Sequence, residues 1–124
     1  MRINGHWQIS SGGGERPVIE AAVLTASGAW RPVTFLLDSA ADRTVFEASF
    51  QPALSPLTQP DAEGPTCSGI GGSAGGSFVA TIIAFSRDDG QRVIVRGPFG
   101  VFADPASTDT SILGRDVADN FDVI

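Results

Sequence analysis

Histidine and cysteine are almost missing from this chain. His6 and Cys67 are the single representatives of their types in 124 residues. One cysteine excludes an intrachain disulfide and a cysteine-based metal cluster. One histidine, placed in a polar N-terminal stretch, argues against a Ser-His or Cys-His catalytic pair and against a multi-histidine metal site. No cofactor and no metal are implied. Long apolar runs are missing too. The longest, FVATIIAF from Phe78 to Phe85, falls far short of the roughly 20 residues that a membrane helix needs. The N-terminal MRINGHWQIS has no apolar signal-peptide core. Positive charge is scarce: 8 Lys and Arg stand against 14 Asp and Glu, a net charge of −6. Nucleic acid or an anionic membrane would require a basic face, so neither is expected as a partner. The expectation is a cytoplasmic protein. If it is a hydrolase, carboxylates are the remaining candidates for its chemistry.

What is present suits one domain built of strands. Hydrophobic residues make up 42% of the chain, enough for a single core, and 15 glycines and 8 prolines supply many turns. Residues 1–15 are polar, end in SGGGE, and resemble a flexible leader to a domain over 16–124. Val18 to Ala26 and Trp30 to Leu37 predict a hairpin around Ser27-Gly28-Ala29. Pro32 implies that the second strand begins at an edge or unpaired. Four prolines between Ser49 and Pro65 predict an irregular surface connection. SFVATIIAFS predicts one strand, RDDGQ a turn, RVIVRG another strand and SIL, Ser111 to Leu113, a short buried one. GRDVADN predicts a turn or two of helix, and FDVI a closing strand. The fold class is all-β with one short C-terminal helix.

One stretch carries an ionisable group in an unusual place. In FLLDSAADRTVF, Asp38 ends an apolar strand and Ser39, Ala40 and Ala41 make the following turn small. It is either a turn leaving the sheet or a carboxylate displayed on a tight loop. Two later motifs bear on the choice: the glycine-rich Gly69-Ile70-Gly71-Gly72, and Ile112-Leu113-Gly114-Arg115-Asp116 before the expected helix. A phosphate loop is disfavoured at the glycines, because no Lys follows and no helical run starts there.

In order and type, these three motifs resemble those of the retropepsin-like aspartic proteases, the family of the retroviral proteases and their bacterial relatives. The likeness runs from about Arg16-Pro17 to the C-terminus. It implies a closed β domain with a flap hairpin that works as a homodimer on peptide or protein substrates. Hydrolysing a peptide bond without a metal or a nucleophile requires a base to activate water and an acid to protonate the carbonyl oxygen. Two carboxylates within about 3 Å do both, since they cannot both ionise and so share a proton. One chain supplies one such motif, so the resemblance implies that Asp38 meets its own copy across a two-fold axis.

The same resemblance implies the remaining roles. Ser39 would stiffen the active-site loops by a hydrogen bond across the dimer, with Ala40 and Ala41 completing the loop; alone, Ser39 is an ordinary turn serine. Asp42 would contact substrate backbone and form an ion pair with Arg115; the alternative is two unrelated surface charges. Gly69, Ile70, Gly71 and Gly72 would form the flap tip over substrate, the alternative being a flexible linker. Cys67 beside them is expected to be inert. Ile112, Leu113, Val101 and Phe102 either line side-chain pockets or belong to the core. Two departures stand out: Ala40 occupies a position that is normally Gly, and the chain ends at FDVI where retroviral members continue with an interleaving strand. They favour a second reading, a peptide-binding or dimerisation module of the same fold with little turnover.

Overall fold

The computed structural model describes residues 3–9, 12–59, 76–104 and 110–121. Its strands are β1 (Gly5–Ile9), β2 (Glu15–Leu24), β3 (Trp30–Leu37), β4 (Val45–Phe46), β5 (Gly76–Val79), β6 (Ile82–Ser86), β7 (Arg92–Arg96), β8 (Phe99–Phe102) and β9 (Ser111–Leu113). Two four-residue helices, α1 (Gln51–Leu54) and α2 (Arg115–Ala118), complete it. All nine strands join one sheet, in the order β5-β8-β4-β9-β3-β2-β6-β7, with β1 added to β2. The sheet curls into a half-barrel.

The β2–β3 hairpin follows from local sequence. Gly28 sits at φ +86°, a conformation that costs a residue with a Cβ and suits glycine. Thr25 ties the turn by donating its hydroxyl to the carbonyl of Ala29 at 2.8 Å. Alternation then sends Val23, Val33 and Phe35 inward. The core is rich in phenylalanine. Phe46 lies 5.6 Å from Phe35, 5.4 Å from Phe50 and 6.1 Å from Phe99, centroid to centroid. These tilted and edge-on contacts suit the ring quadrupoles. Pro32 pairs with Ala22 of β2, while β9 reaches β3 only at Phe35 to Leu37. The first half of β3 is thus open on its far side, where a proline's missing N–H costs nothing.

Four expectations change. The leader contains a strand: β1 pairs with β2 from Gly5↔Ile19 to Ile9↔Glu15, although its residues are all exposed. The expected surface connection begins as a 3-10 turn (Ala48–Phe50), helix α1 and a second 3-10 turn (Ser55–Leu57). Pro52 and Pro56 fall in the first positions of their turns, where no amide hydrogen bond is lost. Leu54 anchors the segment fully buried in the core. SFVATIIAFS is two strands, because the chain crosses between distant parts of the sheet at Ala80-Thr81. There the Ala80 amide donates to Leu57 O (3.0 Å), and Thr81 O accepts from Gly97 N (2.9 Å). Last, Phe99–Phe102 forms a wholly buried strand, β8, between β5 and β4. Val101 and Phe102 are therefore buried in the core, and Val101 also borders a cleft of about 200 Å³ beside Pro52, Thr58 and Val79. Of FDVI, Phe121 packs edge-on against Phe85 at 6.2 Å, and Asp122 to Ile124 lie outside the described residues.

Candidate active site

Asp38 stands where β3 runs out of its partner β9. The parallel pairs Phe35↔Ser111, Leu36↔Ile112 and Leu37↔Leu113 end there, and the Asp38 amide makes one more bond, to Leu113 O at 3.2 Å. The chain then turns tightly. Ala41 N donates to Asp38 O at 3.2 Å, and Ala40 N donates to the Asp38 carboxylate at Oδ1, 3.0 Å away. A backbone donor thus holds one carboxylate oxygen and fixes the direction of the other. Asp38 is half-buried, while Ser39 and Ala40 are exposed. Among the described residues no non-glycine has a positive φ, so Ala40 holds its place without backbone strain.

The loop passes over the end of β9 and enters β4 on the other side, where Val45 pairs with Ile112. On its way it is fastened to the turn that starts α2. Arg115 N donates to Ala41 O (2.8 Å) and Asp116 N to Asp42 O (3.2 Å). Gly114 lies so close beneath Arg43 that a Cβ would run into the Arg43 backbone. Thr44, fully buried, is the centre of the fastening. Its amide donates to both oxygens of Asp116 (3.0 and 3.1 Å) and its hydroxyl donates to Asp116 Oδ1 (2.7 Å). The same hydroxyl accepts from Gly114 N at 3.0 Å.

Thr44 and Asp116 had no role in the reading of the sequence, although both stand in its motifs. The available signal was a threonine leading into the buried pair Val45-Phe46, which needs a partner for its hydroxyl. Asp42 and Arg115 do come together: Arg115 Nη2 donates to Asp42 Oδ1, and this hydrogen bond, with the charge of Asp42, raises the guanidinium pKa. The pair is exposed, at 53% for Arg115 and 74% for Asp42. Solvent screens such a pair. Asp42→Asn and Arg115→Gln should therefore melt within the range of ordinary surface substitutions in a thermal scan. A drop as large as that of a core variant would show that the pair is buried in the working assembly.

Ile112 is half-exposed and packs with Val45, Ala48 and Phe102, whereas Leu113 is buried in the main core. Cys67, Gly69, Ile70, Gly71 and Gly72, and with them the expected flap tip, lie outside the described residues. Among the described residues no group of three or more His, Cys, Asp and Glu side chains is placed to hold a metal ion, and no helix is long and apolar enough to cross a membrane.

No family model matches the chain, and no curated protein does. Among solved structures, the EIAV protease complexed with the inhibitor HBY-793 is similar, at 22% identity and a TM-score of 0.51 over 90% of this chain and 93% of that one. A likeness at that identity is one of fold. The chain has a retropepsin-like fold: a mostly β, curled sheet with Asp38 on the loop that follows β3.

Proposed function

We infer that the chain is an aspartic endopeptidase whose active site is completed by a second copy. The observation that carries this reading is the setting of Asp38. A half-buried carboxylate sits on a tight loop of small residues, one oxygen is held by a backbone amide, and the loop is fastened to the α2 turn at several points. Such a carboxylate is preorganised, and alone it lacks the second carboxyl that the chemistry requires. In the dimer the two Asp38 side chains share one proton. The ionised one takes a proton from water as it attacks the scissile carbonyl, and the protonated one donates to the carbonyl oxygen. Ser39, exposed beside Asp38, is assigned to a hydrogen bond across the two-fold, and Asp42, Ile112 and the glycines 69, 71 and 72 with Ile70 are assigned to substrate. The test is sedimentation against concentration, with cleavage of a peptide library measured in parallel. Specific activity is expected to rise with the dimer fraction, and full activity in a monomeric sample would overturn the two-chain site.

The second reading, a binding module of the same fold with little turnover, is favoured by Ala40. Its methyl is exposed beside Asp38, where the scissile carbonyl must lie. A displacement of about 1 Å there costs on the order of a hundredfold in rate. Ala40→Gly is expected to raise kcat/KM on a single peptide and to lower stability by up to about 1 kcal/mol, through the added freedom of glycine in the unfolded chain. Unchanged or lower turnover would show that the methyl is compatible with catalysis.

A further inference from the structure

The sheet ends at β7, and among the described residues no strand pairs with its far edge. The two ends of the strand fix which residues face outward. Gln91 O accepts from Arg87 N at 2.7 Å and Gly97 N donates to Thr81 O at 2.9 Å, so the odd-numbered residues bond back toward β6. Successive residues of a strand turn their N–H and C=O groups to opposite edges. Arg92, Ile94 and Arg96 therefore offer their backbone donors and acceptors to the free edge.

The same three residues point their side chains away from the core. β7 alternates, with Val93 and Val95 packed against the core and Arg92, Ile94 and Arg96 exposed. Ile94 is 51% exposed. It stands opposite Ala84 of β6, Ala84 opposite Ala22 of β2, and Ala22 opposite Pro32 of β3. The outer face of these four strands thus carries an apolar row, where the solvent face of an antiparallel sheet is ordinarily polar. The Arg92 guanidinium lies 5.4 Å over the ring of Trp30 on the same face. Neither Arg92 nor Arg96 has an ion-pair partner among the described residues.

A free edge with an exposed apolar residue invites pairing, and the charges along it select the partner. A second copy does not fit. With β7 antiparallel to β7 and Ile94 facing Ile94, Arg92 would stand opposite Arg96 at both ends, and like charges directly opposite each other destabilise a ladder. A strand with carboxylates at those two places turns both repulsions into attractions. In a chain of net charge −6, two unpaired arginines around one exposed isoleucine are a local cationic feature.

We propose that the free edge of β7 docks an extended acidic segment of another polypeptide as an added strand. The pattern it recognises is acidic, any, apolar, any, acidic. With the apolar residue opposite Ile94, the two carboxylates meet Arg92 and Arg96, and the outward backbone groups complete the ladder. The site is three strands away from β3, which leads to Asp38, and it does not depend on the role assigned to that residue.

The test is a titration of the full chain at pH 7, followed by amide NMR shifts and by amide exchange with water. The probes are the blocked peptide acetyl-Thr-Glu-Thr-Val-Thr-Glu-Thr-amide and its counterpart with lysine in place of both glutamates. The glutamate peptide is expected to give saturable shifts along β7 and to slow exchange at the Arg92, Ile94 and Arg96 amides, which gain acceptors. The lysine peptide should bind at least about tenfold more weakly. Arg96→Gln should weaken the glutamate peptide about threefold, the loss of one cross-strand charge pair. Arg92→Glu combined with Arg96→Glu should reverse the preference, so that the lysine peptide binds the more tightly. Shifts that do not saturate, equal binding of the two peptides, or an unchanged exchange rate at Ile94 overturn the proposal. So do shifts confined to the Ala40 and Arg115 amides, which place the peptide at Asp38. An Ile94 amide already protected in the free chain overturns it as well: protection that grows with protein concentration assigns the edge to a second copy, and protection independent of concentration assigns it to the chain itself.

Discussion

Asp38→Asn is expected to lower peptide hydrolysis by at least about a thousandfold while leaving the thermal midpoint nearly unchanged. The first half follows from proton bookkeeping. An amide neither takes a proton from water nor gives one to a carbonyl oxygen, and a positioned acid–base pair contributes about 10² to 10⁴ in rate. In the proposed dimer the substitution removes both carboxyls at once. The second half follows from the hydrogen bonds at this residue. The Asp38 amide still donates to Leu113 O, and an asparagine oxygen still accepts from Ala40 N in place of Oδ1. The measurement is kcat/KM on a cleaved peptide over a pH series, with a melting curve for each protein. Cleavage that survives in the asparagine variant would remove Asp38 from the chemistry. A collapsed melting curve would show that the carboxylate charge holds the loop, a different role from the one assigned to it.

The largest expected loss of stability lies elsewhere, at Asp116→Ala. The aspartate accepts the amide and the hydroxyl of Thr44, and Thr44 has no exposed surface. Truncation leaves both donors facing a gap. Each buried donor stranded in this way costs about 1–3 kcal/mol, so the sum is on the order of 3 kcal/mol. In a domain of this size that is roughly a 10 °C fall in Tm. Activity should fall by more than the folded fraction, because Thr44 and Asp116 fasten the loop that carries Asp38 and act as positioning residues. Asp116→Asn keeps one acceptor and should recover much of the loss. An Asp116→Ala protein that melts like the parent would show that water replaces the carboxylate at no cost. Thr44→Val, which removes a hydroxyl but little volume, separates the two halves of the network: the Thr44 amide keeps its acceptor, and the Gly114 amide loses one.

Several features were legible in the sequence because they depend on neighbours in the chain. The β2–β3 hairpin follows from Gly28 and from alternation along Val23, Val33 and Phe35. The position of Asp38 follows from the apolar run before it and the small residues after it. The short helix at Arg115–Ala118 and the strand at Ser111–Leu113 lie where the motif implied. Elements that depend on distant partners were not legible. β1 forms because β2 offers it a free edge, although its own residues, Trp7 and Ile9 among them, are all exposed and bury no face. The proline-rich 48–57 segment becomes helical turns because Phe50 and Leu54 find a place in a core made by other strands. The break at Ala80-Thr81 exists because β5 and β6 pair with strands far apart in the sheet. The same division runs through the site. The sequence by itself determined that a carboxylate would stand at the end of β3. Only the tertiary structure decided how it is held, since Thr44, Gly114 and Asp116 meet across some 70 residues of chain, and no local preference encodes a contact whose energy appears only when both ends have been brought together.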